Sequence, residues 1–190
     1  MKALTVNGKQ LTIDRVEIIG YEESVAGYKS FKWVLSGRWN KGSGNTGITR
    51  TYMEWDELGI GVNNGSVSYG PDYWTYDSYT LDGTPWDADR RMPSALLDGM
   101  RNTEDSKFDA SNFVELTVYF HTTDNAFIVP ASVGLIAANN QNAYQSSTPL
   151  HFMLYGFNEQ TNEYELIVDV NAAQVAKTNN AETIINIAGN

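Results

Sequence analysis

Residues 149–167 constrain this chain more than any other stretch. Phe152 and Leu154 alternate with Met153 and Tyr155, the period of two that marks a strand with one buried face. Residues 156–162 are rich in Asn and Gly, residue types that tolerate the backbone of a turn. Beyond them Tyr164, Leu166, Val168 and Val170 share one face, and Glu163, Glu165 and Asp169 share the other. The stretch therefore reads as a β-hairpin with one apolar and one wet face, lying on the side of a core.

The rest of the chain follows the same grammar. Residues 4–13 form a second hairpin, because Asn7-Gly8 is the favoured two-residue type I′ turn. Residues 16–19 make a short strand, and residues 28–36 a longer one carrying Tyr28, Phe31, Trp33 and Leu35. A Gly/Asn/Ser loop over 37–46 separates it from an extended stretch over 48–62, which ends on Asn63-Asn64-Gly65. Residues 66–86 are aromatic, rich in Gly, Asp and Pro, and without a steady period. They read as a long loop or a set of short edge strands. Residues 87–100 have room for one short helical turn, limited by Pro93. Val114, Leu116, Val118 and Phe120 then alternate cleanly, residues 127–140 form another strand, and residues 183–187 can add a last one. Many short strands with almost no helix predict an all-β sandwich or jelly roll.

Composition narrows the function. The chain has 190 residues, 42% of them hydrophobic, enough for one domain with a core. No apolar run reaches the ~20 residues that span a bilayer, so membrane insertion is not expected. Asn7, Gly8, Lys9 and Gln10 interrupt any leader-like apolar segment. The expected setting is a cytoplasm, an assembly built in one, or a secreted mature form. There is no cysteine, which removes disulfides and thiolate chemistry. A net charge of −10 repels a phosphate backbone, so nucleic acid is not an expected partner.

The hairpin wording also carries a resemblance. Pro149, Phe152, Leu154-Tyr155-Gly156, Asn158, Tyr164 and Leu166-Ile167 are similar to a line that runs P-x-x-W-x-L-Y-G-S-N-D-G-x-x-W-x-L-L in discoidin-like (galactose-binding-like) modules. The strand from Tyr28 through Trp33, the stretch from Glu54 to Gly65 with Glu57 at the family's glutamate, and Asp98-Gly99 with Thr103 extend the likeness. It is similar to the modules found in phage tail and capsid-associated proteins. It covers residues 28–170, is patchy over 66–91, and lacks the Asp-Leu-Gly that usually ends the strand at Phe120. The implied architecture is one galactose-binding-like jelly-roll β-sandwich over 1–190, with an extra N-terminal hairpin in 1–27, a discoidin-like core in 28–170 and a tail in 171–190.

The resemblance implies one structural Ca2+, held by Glu57, Asp98 and Thr103 with main-chain oxygens near 97–101. Calcium takes six to eight hard oxygens, so the chemistry suits. The same residues also suit a tight Asp-Gly turn in which Asp98 bonds its own backbone. A glycan platform is the second candidate. Aromatic faces stack on sugar C–H groups while carboxylates and Arg take hydroxyls. Tyr73, Trp74, Tyr76, Trp86 and Arg90 are the candidate residues, with Asp72, Asp77, Asp82 and Asp87 among them. Six rings between positions 69 and 86 exceed what one sugar needs, so some must cap the sandwich or meet another subunit.

Catalysis has less to recommend it. The two histidines, His121 and His151, flank strands, and no nucleophile elbow, phosphate loop or zinc motif occurs. The expected function is that of a non-catalytic virion accessory or structural protein of a phage, capsid- or tail-associated. It would lie on the virion surface, bound to other virion proteins or identical subunits as a homo-oligomer, and contact host-surface or gut glycans. A stand-alone bacterial carbohydrate-binding module, secreted or at the cell surface, is the alternative.

Overall fold

The computed structural model describes residues 5–6, 9–10, 27–38, 52–62, 66–82, 92–100, 106–109, 115–139 and 147–187. The strands are β1 (Thr5–Val6), β2 (Lys9–Gln10), β3 (Ser30–Arg38), β4 (Tyr52–Trp55), β5 (Glu57–Val62), β6 (Val67–Ser68), β7 (Trp74–Leu81), β8 (Ser106–Asp109), β9 (Glu115–Thr122), β10 (Pro130–Ile136), β11 (Pro149–Asn158), β12 (Glu163–Asn171) and β13 (Glu182–Asn186). A five-stranded sheet runs β12-β11-β3-β9-β7 and a four-stranded sheet runs β13-β10-β5-β6, with β1-β2 and β4-β8 as separate pairs. All pairings are antiparallel. The protein is an all-β sandwich. The predicted strand over 16–19 lies outside the described residues; of the loop expected over 37–46, Gly37 and Arg38 belong to β3 and the rest lies outside the described residues.

One core joins the two sheets. Phe31, Trp33 and Leu35 of β3, Leu116, Val118 and Phe120 of β9, and Phe152 and Leu154 of β11 meet Leu58 and Ile60 of β5 and Val133 and Leu135 of β10. Each set occupies alternate positions, as the period of two requires. Trp55 closes the core beside Phe152, ring centroids 4.7 Å apart. In the small hairpin Val6 pairs with Lys9 and Thr5 with Gln10, the register that a two-residue connection at 7–8 demands.

The hairpin over 149–171 differs from its sequence reading in two ways. β11 runs through Asn158, so Gly156 lies inside the strand and not in the turn. A Cβ there would collide with the Tyr28 ring; glycine is required by packing. The turn is confined to the residues after Asn158, whose side-chain oxygen accepts the Gln160 amide at 2.9 Å. The second difference is a bulge. Leu154 pairs with Val168 but Tyr155 pairs with Leu166, so Ile167 is an extra residue and the alternation changes phase there. Val168 and Val170 keep the core side. Leu166 is 54% exposed on the opposite face, and Tyr164 joins it, contacting Phe157, Tyr119 and the Lys32 ammonium. Glu165 consequently turns inward, accepting from the Tyr28 hydroxyl at 2.8 Å and the Asn158 amide at 2.7 Å.

Other elements follow their local chemistry. The aromatic stretch contains β6, a turn, and β7 as an edge strand of the larger sheet. The short helix is a 3-10 turn over Pro93–Leu97. Pro93 starts it rather than limiting it, since a first helical position needs no N–H. The tail strand β13 pairs with β10, and Ile184 upon it is 54% exposed.

Candidate functional site

Two features lie along β5, one at its start and one toward its end. The first is a buried carboxyl. Glu54, Trp55, Asp56 and Glu57 are all fully buried where β4 passes into β5. Neither carboxyl oxygen of Glu57 has a well-formed hydrogen bond. Burial, then the neighbouring Asp98 carboxyl and to a smaller extent Asp56, push the Glu57 pKa from 4.5 up to about 9, against a lowering pull from the Gly99 amide. Asp98 follows the 3-10 turn, and its Oδ1 accepts the Met100 amide at 2.8 Å. That is the tight Asp-Gly turn expected as one reading of these residues, with Gly99 at a φ of +75°.

The donors fit a cation in part. Two carboxyl groups that face each other, one of them buried and held protonated, are what a bound cation would allow to ionise together. Glu57 and Asp98 converge, whereas Thr103 lies outside the described residues. Among the described residues no three acidic or histidine side chains cluster as a ligand set. Main-chain oxygens and water would have to complete any coordination sphere.

The second feature is a cavity of about 310 Å3 lined by Ile60, Val62, Ser68, Asp72, Tyr73, Trp74, Thr122, Thr123, Asp124 and Ile128. Its floor is the buried set Ile60, Trp74 and Thr122, and its rim the exposed set Asp72, Tyr73, Thr123 and Asp124. The rim is tied down by its own hydrogen bonds. The Tyr73 and Trp74 amides both donate to the Gly70 carbonyl, at 3.1 and 3.0 Å. The Thr123 amide donates to the Tyr73 carbonyl at 2.9 Å, and its hydroxyl to that of Pro71 at 3.0 Å. Asp124 Oδ1 accepts the Ala126 amide at 2.9 Å.

Tyr73 and Trp74 are sequence neighbours with opposite fates. Tyr73 is 52% exposed at the rim. Trp74 is buried, its indole N–H donates to the Ser68 carbonyl at 2.9 Å, and its ring meets Phe31 and Phe120 edge-on. Trp74 is thus a wall of the cavity and a piece of core, not an open stacking surface. Tyr76 pairs with Phe120 further along β7, away from the cavity lining, and burial raises its pKa. Trp86 and Arg90 lie outside the described residues. Two of the five expected platform residues therefore meet at the cavity.

Thr123, Asp124, Val62 and Ile128 were not singled out in the sequence. The one available signal was the polar Thr122-Thr123-Asp124-Asn125 run after a strand, which marks a turn but not what it faces. The two features touch: a Cβ on Gly70 would lie 3.0 Å from the Gly99 Cα. The turn that carries Tyr73 is therefore seated on the turn that carries Asp98. The histidines lie on strands of the larger sheet, His121 paired with Asp77 at 2.8 Å and His151 with Asp169 at 3.0 Å. Comparison of the chain with protein-family models, with curated proteins and with solved structures finds no match.

Proposed function

We propose that this β-sandwich is a discoidin-like, galactose-binding-like jelly roll acting as a non-catalytic glycan-recognition module, of the accessory kind carried on phage capsids or tails. The observation that carries glycan recognition is the tied-down cavity with the Tyr73 ring at its rim. A sugar ring presents C–H groups to an aromatic face and hydroxyl donors to carboxylates, and Tyr73, Asp72 and Asp124 supply both kinds of partner. A rim already held by hydrogen bonds loses little freedom on binding. One structural Ca2+ at Glu57 and Asp98 would neutralise the buried carboxyls and brace the turn beneath Tyr73. The virion placement rests on the likeness in wording. The exposed Leu166 and Ile184 on edge strands β12 and β13 are surfaces suited to subunit or particle contacts.

A glycan array followed by titration of its hits tests the recognition reading. Saturable binding lost on Tyr73→Ala is the expected result, and no binding to any glycan refutes it. Light scattering of the purified protein tests the assembly reading: a defined oligomer supports subunit contacts. A clean monomer favours the stand-alone carbohydrate-binding module.

A further inference from the structure

We infer that the outer edge of β13 is a contact between two copies of this chain, which pair antiparallel about a two-fold axis at Ile184. The inference rests on the assembly reading above and names the surface. An open strand edge presents a row of backbone N–H and C=O groups, and folds blunt such edges with short strands, bulges or charge. The edge strands of the two sheets are β12, β7, β13 and β6. β12 is bulged at Ile167, β7 is bulged between Tyr76 and Ser78, and β6 is two residues long. β13 carries none of these guards. Its register against β10 runs from Glu182 to Asn186 without a shift, and it holds no Pro, Lys or Arg.

The hydrogen bonds to β10 fix the direction of every backbone group on β13. The Ile187 amide donates to the Ala131 carbonyl at 2.9 Å, and the Ala137 amide donates to the Ala181 carbonyl at 3.0 Å. Bonded residues alternate along an antiparallel pair, so Thr183 and Ile185 also direct their backbone groups to β10. Glu182, Ile184 and Asn186 direct theirs outward. The side chains of these three are exposed as well, Ile184 at 54%, whereas Ile185 and Ile187 pack on the core. Ile184 stands opposite Gly134, which offers it no side chain to pack on.

A second copy of β13 matches this edge. With Ile184 laid against Ile184, the outward backbone groups of the two strands meet: Ile184 exchanges both bonds with its counterpart, and Glu182 does so with Asn186. The same register sets the two Ile184 side chains side by side. It also brings no carboxylate against another, in a chain of net charge −10. A shift of one residue would set outward groups against inward ones and lose the match. The two four-stranded sheets then join through their β13 edges.

Light scattering over a dilution series, with amide hydrogen exchange on the same samples, tests the contact. The protein should form a dimer in which the Ile184 and Asn186 amides are protected, and lose that protection on dilution to monomer. The Thr183 and Ile185 amides should stay protected in both states. Ile184→Lys should weaken dimerisation by about tenfold or more, and Leu166→Lys on β12 should leave it intact. Asn186→Pro removes an outward N–H and leaves the bonds to β10 in place, so it should weaken the dimer without lowering the melting temperature of the monomer. An oligomer indifferent to both β13 substitutions, with the Ile184 and Asn186 amides unprotected, would overturn the inference while the assembly reading stands. A monomer at every concentration would overturn the inference together with self-assembly. A monomer whose β13 amides become protected only when a different protein is added would overturn it in favour of a foreign strand.

Discussion

The carboxyl of Asp98, on the turn after Pro93–Leu97, faces the fully buried carboxyl of Glu57 at the start of β5. In calcium-free protein Glu57 holds its proton up to about pH 9, where an ordinary glutamate releases it near 4.5. Between those values the folded state binds more protons than the unfolded state, so stability declines as pH rises across that window. Glu57→Gln, which cannot ionise, should flatten the decline, a difference on the order of a few kcal/mol between the ends. Urea unfolding in chelator at several pH values measures it; parallel curves for the two proteins would contradict the assignment.

Calcium should reverse that dependence. A metal bound at Glu57 would compete with the proton there, so its affinity would rise with pH and its binding would stabilise the fold. A calcium-dependent rise in melting temperature is expected, absent in Glu57→Gln and reduced in Asp98→Asn. Since Gly70 rests on Gly99, chelation should also weaken glycan binding at Tyr73. A melting temperature indifferent to calcium would remove the metal from the account.

Tyr73→Ala and Trp74→Ala should separate binding from folding. The Tyr73 ring is 52% exposed, so its loss should move stability by less than about 1 kcal/mol while abolishing sugar binding. Trp74 is 4% exposed and packs on Phe31 and Phe120. Its loss should cost about 3–5 kcal/mol. Binding and denaturation curves for both variants check this, and a strongly destabilised Tyr73→Ala would place that ring in the core instead.

Gly134→Ala should be unusually costly for so small a change. Gly134 pairs with Gly59, and Tyr69 covers both, so that a Cβ at Gly134 would fall on the Tyr69 hydroxyl. The ring would be displaced and its hydrogen bond to Glu182, 2.8 Å long, broken. A loss of about 1–3 kcal/mol is expected. Combined with Tyr69→Ala, the same Gly134→Ala change should cost measurably less, the remainder being the approach of the new methyl to Val67 at 2.7 Å, a coupling read from a double-mutant cycle.

The strands were legible wherever burial depends only on local alternation. Phe31, Trp33 and Leu35, Leu116 and Val118, and Phe152 and Leu154 all face the core as their spacing indicates. The hairpin at 5–10 was legible because Asn-Gly chemistry is local. Gly156 was misplaced in the turn because its role is set by Tyr28, which is remote in sequence. The inward turn of Glu165 depends on one unpaired residue, Ile167, which no periodicity announces.

What the sequence alone determined about this protein is therefore its class: alternation and turn residues act between near neighbours, and these dictate strands and one apolar face. What only the tertiary structure decided is which polar groups lose water and which rings keep it. Glu57 reads in sequence as a candidate metal ligand, but its full burial is set only when other segments close over it. Tyr73 and Trp74 look alike until the Gly70 turn sends one outward and the other into the core. The cavity has no local signature, because its walls come from β5, β6, β7 and β9, and burial is a property of how those strands are brought together.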